Sequence, residues 1–160
     1  MAENIFTDQR KVWDKQISQI ETMGNSYVRV GFQEGSVTKT ARKGAETRKG
    51  GESMPAIAAK NEYGIGVPAR PFLRPAIDEN QEKINRFIAV QYVNVLNNAS
   101  TVKKALETIG LFTQDLVVGK IDSIFTPPNS KATIMRKGSS KPLIDFGQMR
   151  QAVTYKVVIA

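Results

Sequence analysis

Three features of this sequence predict an α+β fold, a small and mainly antiparallel sheet packed by long helices. Apolar residues alternate over residues 27–32 and again over 153–159, and the chain between them carries long stretches of helical periodicity. With 160 residues it fits one domain, 1–160, large enough for a single core. Hydrophobic residues at 41% and charged residues at 24% form a globular balance, so most of the chain should fold.

The first element expected is an amphipathic helix from Met1 to about Met23. Phe6, Trp13, Ile17 and Ile20 are spaced by seven, four and three and so share one stripe, with Asp8, Lys11, Asp14 and Lys15 largely elsewhere. Gly24, Asn25 and Ser26 break the pattern, and Val28, Val30 and Phe32 then occupy one face of a half-buried strand. Residues 33–52 place Gly35, Gly44, Gly50 and Gly51 among Lys, Arg, Thr and Ser. That composition buries too little apolar area to offset ordering entropy, and a flexible basic loop is expected.

Ser53 is suited to cap a short helix through Ile57 and Ala58, with Gly64 as its left-handed stop. Pro68, Pro71 and Pro75 make the next stretch a rigid, extended arm, since each fixes its own φ and biases its predecessor away from helix. Ile77, Ile84, Ile88 and Val95 predict one long helix over residues 75–97. A second starts at Ser100, turns Leu106, Ile109, Leu116, Val117 and Ile124 inward, and stops at Pro127-Pro128. Gly110 and Gly119 weaken it and mark either close packing or a bend. Residues 129–148 read as loop with short helical turns, and the final strand pairs with the first.

Composition excludes much chemistry. The chain has no cysteine and no histidine. No disulfide, Cys or Ser-His nucleophile or ordinary Cys/His zinc site can form, and the commonest neutral general base is missing. Glu107, Asp115, Asp122 and Asp145 lack the spacing of a metal-nuclease cluster, and a solvated helix face accounts better for the first three. Neither residues 31–35 nor residues 136–140 show the strand, Gly-Lys-Ser/Thr and helix order that cradles phosphate. No catalytic constellation and no cofactor site is visible. Met1 to Met23 lacks the pattern of a signal peptide and no run is apolar enough to span a membrane, so synthesis in the cytoplasm is expected.

The formal charge of +8 points to an anionic partner, nucleic acid or an acidic protein face. It is concentrated in two places. Lys39, Arg42, Lys43, Arg48 and Lys49 stand against Glu46 alone, and Lys131, Arg136, Lys137, Lys141, Arg150 and Lys156 against Asp145 alone. The first group is the candidate contact for DNA or for an acidic partner, with a solvated loop as the plain alternative.

Two blocks carry a resemblance. Residues 57–64 read Ile-Ala-Ala-Lys-Asn-Glu-Tyr-Gly, and residues 67–76 read Val-Pro-Ala-Arg-Pro-Phe-Leu-Arg-Pro-Ala. Far along the chain come Thr133-Ile134, then Arg136-Lys137-Gly138-Ser139-Ser140-Lys141-Pro142-Leu143-Ile144-Asp145, then Gly147-Gln148-Met149-Arg150. Both blocks, in this order, resemble signatures of the tail-component and virion-morphogenesis families of tailed bacteriophages. Phe146, Ala132 and Ala152 depart from the pattern, at positions that concern local capping.

The resemblance implies a non-enzymatic virion protein that completes the tail or forms the neck, working as a ring at the head-tail junction. It implies a hexamer first and a dodecamer second. Its partners would be neighbouring neck, connector and tail proteins, with non-specific DNA contact in the lumen. Within the first block, Arg70, Pro71, Phe72, Leu73 and Arg74 form the candidate subunit interface: the prolines remove freedom in advance, Phe72 offers an apolar anchor, and the arginines offer forked donors. An equally weighted alternative packs Phe72 into its own core and uses the arginines as caps. Glu62 is expected to be free to pair with an arginine. The rival functional class is a basic DNA-binding accessory protein of phage morphogenesis, marked by tight, salt-sensitive binding of the free chain.

Overall fold

The computed structural model describes residues 2–33, 53–137, 140–143 and 148–160, with side chains throughout except at 2–8, 133, 136 and 137. The elements run α1 (Ala2–Asn25), β1 (Tyr27–Phe32), α2 (Met54–Tyr63), α3 (Leu73–Asp78), α4 (Gln81–Leu96), α5 (Val102–Ser123), α6 (Lys131–Lys137), α7 (Gln148–Ala152) and β2 (Val153–Val158). The fold is α+β and mostly helical, and β1 and β2 pair as a two-stranded antiparallel sheet. Thr154 Oγ1 lies 3.5 Å from the Gly31 carbonyl and the Ala160 amide lies 3.3 Å from Ser26 Oγ. As β2 advances its partners therefore retreat along β1. No described helix is long and apolar enough to cross a membrane.

The chain gathers into two compact units. The first comprises Met1–Arg29, Glu82–Leu111 and Lys156–Ala160, and the second Val30–Gln81 and Phe112–Tyr155.

In the first unit Met23, Val95 and Ala105 are buried together, with Tyr92 and Val102 packed against them. Gln16 Nε2 donates to the Leu96 carbonyl at 3.5 Å on the same side of α1 as Met23. The buried side of α1 consequently runs through Gln16, Gln19 and Met23. This corrects the expected core stripe: Trp13, Ile17 and Ile20 lie at least half exposed, at 65%, 50% and 50%.

The expected single helix over 75–97 is two helices, α3 and α4. Asn80 breaks it, because its Nδ2 donates to the Ala76 carbonyl at 3.0 Å and its amide turns back to the Ile77 carbonyl at 3.1 Å. A side chain competing for helix carbonyls is the ordinary way an Asn ends a helix. At α5 the cap is Thr101, whose Oγ1 accepts from the Lys104 amide at 3.2 Å, and not Ser100. The helix continues unbroken through Gly119, where a Cβ would meet nothing within 4 Å. Close packing is not the reason for that glycine.

The second unit holds the larger core. Ala58, Phe72, Ala76, Val117, Ile121, Leu143, Met149 and Val153 are buried together, and Val30, Phe32, Ile57, Leu73, Ile77, Val118 and Ile124 pack around them. As expected, Val30 and Phe32 are the inward residues of β1, and Phe32 meets Phe72 edge to face at 5.7 Å.

Candidate interaction site

Both capping expectations for α2 hold. Ser53 Oγ accepts from the Ala56 amide at 3.4 Å, and Gly64 closes the helix at φ 73°, its amide donating to the Lys60 carbonyl. Glycine is required at this stop on two counts. L-residues disfavour the left-handed region, and an added Cβ would lie 3.0 Å from the Ala69 Cβ and 3.2 Å from the Ala69 nitrogen. Ile65 then donates to the Lys60 carbonyl at 3.0 Å, and Gly66 takes a second left-handed turn at φ 71°. The chain folds back on α2 until the Arg70 amide reaches the Asn61 carbonyl at 2.7 Å.

Glu62 completes this return. Its Oε2 accepts from the amides of Phe72 at 2.7 Å and Leu73 at 3.0 Å, and its Oε1 from the amide of Arg74 at 3.1 Å. These are the unpartnered donors at the start of α3, and a buried carboxylate satisfies all three at once. The expectation that Glu62 is free to pair with an arginine is thus overturned: its oxygens are committed to backbone, and Arg74 instead lies over the Tyr63 ring at 5.4 Å.

Arg70 is buried as well, at 6% exposure. Its Nε donates to the Pro127 carbonyl at 2.8 Å and its Nη2 to the Pro128 carbonyl at 3.1 Å. Burial lowers its pKa from the usual guanidinium value, and the side chain remains charged at neutral pH all the same. The fork reads two successive carbonyls that prolines leave free of helix or sheet, which a single ammonium could not match.

Arg70, Pro71, Phe72, Leu73 and Arg74 are therefore not one projecting arm. Phe72, at 1% exposure, fills its own chain's core, so it is no anchor for a neighbour in this conformation, and Arg70 is spent on the 127–128 turn. Pro71 and Arg74 face outward, and Leu73 is half-buried. Exposed apolar residues sit one step earlier, on the knuckle from Tyr63 to Val67 around the Gly64 and Gly66 turns. Tyr63 is 64%, Ile65 56% and Val67 39% exposed. The available signal was Ile65 between two turn glycines, with Tyr63 and Val67 just outside them.

The second block meets the first here. Leu143 and Met149 join Phe72, Ala58 and Ala76 in one core, and Asn129 Nδ2 donates to the Lys141 carbonyl at 3.1 Å. Between the blocks opens a cleft of about 640 Å³, walled by Ile57, Val67 and Arg70 on one side and by Pro128, Leu143 and Met149 on the other. Phe125 stands exposed nearby with the Lys141 ammonium 5.4 Å from its ring centre.

Lys39, Arg42, Lys43, Arg48 and Lys49, and most of the 33–52 loop expectation, lie outside the described residues. So does Asp145. Among the described residues no three of His, Cys, Asp or Glu come together as a metal site. Asp122 pairs with Arg150 at 3.2 Å. Comparison with protein-family models, with curated proteins and with solved structures finds no match to this chain.

Proposed function

We propose that the chain is a non-enzymatic structural subunit of a tailed-phage virion that works in a ring at the head-tail junction, completing the tail or forming the neck. The observation that carries this reading is the pair of signature blocks, residues 57–76 and 133–150, in their characteristic order. Their joint role in the fold supports it. In the first block Glu62 accepts from the Phe72 amide and the Asn61 carbonyl from the Arg70 amide, and Leu143 and Met149 of the second share a core with Phe72.

In this reading the ring contact is made by what the clip, the chain return that Glu62 holds against α2, presents rather than by what it buries: Tyr63, Ile65 and Val67 on the knuckle, with Pro71 and Arg74 beside them. A rigid apolar knuckle meeting a different face of the next subunit is a heterologous contact, the kind that closes into a ring. Hexamer is the first expectation and dodecamer the second. Lys39, Arg42, Lys43, Arg48 and Lys49 supply charge for sequence-independent contact with DNA in the lumen or for an acidic neighbouring ring.

Deleting the gene from the phage tests this. Filled heads and unjoined tails should accumulate, and the protein should be found by mass spectrometry in purified wild-type particles. If the chain is absent from particles and the free protein binds DNA tightly with a steep salt dependence, the DNA-binding accessory reading replaces this one. Changing the five basic residues to Ser separates the roles of the charge, because loss of DNA delivery from otherwise joined particles points to the lumen.

A further inference from the structure

The first unit leaves an apolar strip uncovered on α1. Trp13, Ile17 and Ile20 fall within about 60° of one another around a helix that advances about 100° per residue. They are 65%, 50% and 50% exposed. Isolated exposed apolar residues are ordinary, but a continuous strip of this size marks an interaction surface.

The charges beside the strip say what covers it. Arg10, Asp14 and Glu21 are exposed and lie on the same flank of the Trp13–Ile17–Ile20 line by the helical repeat, with Arg10 and Glu21 nearer the strip and Asp14 farthest round from it. Two identical helices packed antiparallel bring like flanks together, so Arg10 of each copy meets Glu21 of the other and two opposite-charge pairs form. In a parallel pair each flank faces the opposite flank of its mate, and Arg10 and Glu21 lie at different heights, so this match is lost.

Register gives an independent check. The midpoint of Arg10 and Glu21 falls between Lys15 and Gln16, and the midpoint of the apolar strip falls between Gln16 and Ile17. The two centres coincide to about one residue, or about 1.5 Å of helix rise. The two-fold that pairs the charges therefore also seats Trp13 of one copy between Ile17 and Ile20 of the other.

We infer that the free chain forms a two-fold dimer through antiparallel contact of its α1 helices. The strip offers on the order of 400 Å² per copy, against roughly 800 Å² per partner in a standard interface, so the dimer is weak and concentration-dependent. A two-fold contact cannot repeat around a cyclic ring, so this dimer is a form of the chain outside the ring, and the inference stands apart from the ring reading.

Sedimentation of the purified full-length chain across a concentration series tests it, with circular dichroism as a check on folding. Arg10→Glu should weaken the dimer about tenfold, from two attractive pairs turned repulsive. The double variant Arg10→Glu/Glu21→Arg should restore it, since only reciprocal pairing exchanges the charges back. The chain has no cysteine, so Ile17→Cys with a short bismaleimide should give a covalent dimer and nothing larger, while Lys11→Cys on the opposite side should give little. A chain monomeric at every concentration, a double swap that fails to restore the dimer, or a ladder of larger crosslinked species would each overturn the proposal.

Discussion

Glu62→Gln keeps the shape of the side chain and removes its charge, and the geometry around it allows the cost to be worked out. The Gln oxygen can still accept from the Phe72 and Leu73 amides, now at 2.7 and 3.0 Å from a neutral acceptor. Each such bond weakens by about 0.5–1 kcal/mol relative to the charge-assisted one. The Gln nitrogen must then face the Arg74 amide at the position held at 3.1 Å by Oε1. Two donors opposed leave that amide unsatisfied, which costs about 1–2 kcal/mol for a half-buried group. The sum is about 3 kcal/mol, and for a chain of this length it lowers the melting temperature by about 6–12 °C. Urea unfolding followed by circular dichroism measures the loss, and hydrogen exchange should quicken first at Phe72, Leu73 and Arg74. A loss under about 0.5 kcal/mol, typical of a surface position, would show that this carboxylate does not hold the start of α3.

Further outcomes follow from the same clip. Phe72→Ala removes a ring at 1% exposure from the centre of the larger core and should cost about 3–5 kcal/mol, so denaturation rather than ring assembly reports the damage. Gly64→Ala and Gly66→Ala impose the same left-handed strain, of about 1 kcal/mol, but only the former drives a Cβ to 3.0 Å from another. Gly64→Ala should therefore be the more destabilising of the two in parallel melts. Arg70→Lys keeps the charge and loses the fork to the Pro127 and Pro128 carbonyls, and a loss of about 1–3 kcal/mol is expected, measured by the same unfolding.

Local signals were legible in the sequence where the deciding physics is local. The Ser53 cap, the Gly64 stop and the alternation of β1 all depend on residues within a few positions of one another, and each stands as expected. Helix period alone could not say which side of α1 would be covered, because the covered side carries Gln16 and Gln19 beside Met23, off the apolar stripe, and Met23 packs on Val95 and Ala105 from distant sequence. The break at Asn80 was hidden beneath isoleucines that keep the helical period across it. The clip was illegible for a different reason. Glu62 looked like a surface carboxylate at a helix end, and only a chain reversal through two left-handed glycines brings the Phe72, Leu73 and Arg74 amides to it. Phe72, flanked by prolines, carries equal marks of an anchor and of a core residue, and burial distinguishes them.

The most direct test of the proposed role is a reconstruction of the head-tail junction from intact, DNA-filled particles. The expected result is a ring at the neck whose subunit density fits this fold, with the knuckle of Tyr63, Ile65 and Val67 against the next subunit and Phe72 enclosed within its own. A junction whose rings are all accounted for by other chains, or a ring of this chain in which the knuckle faces solvent, would contradict it.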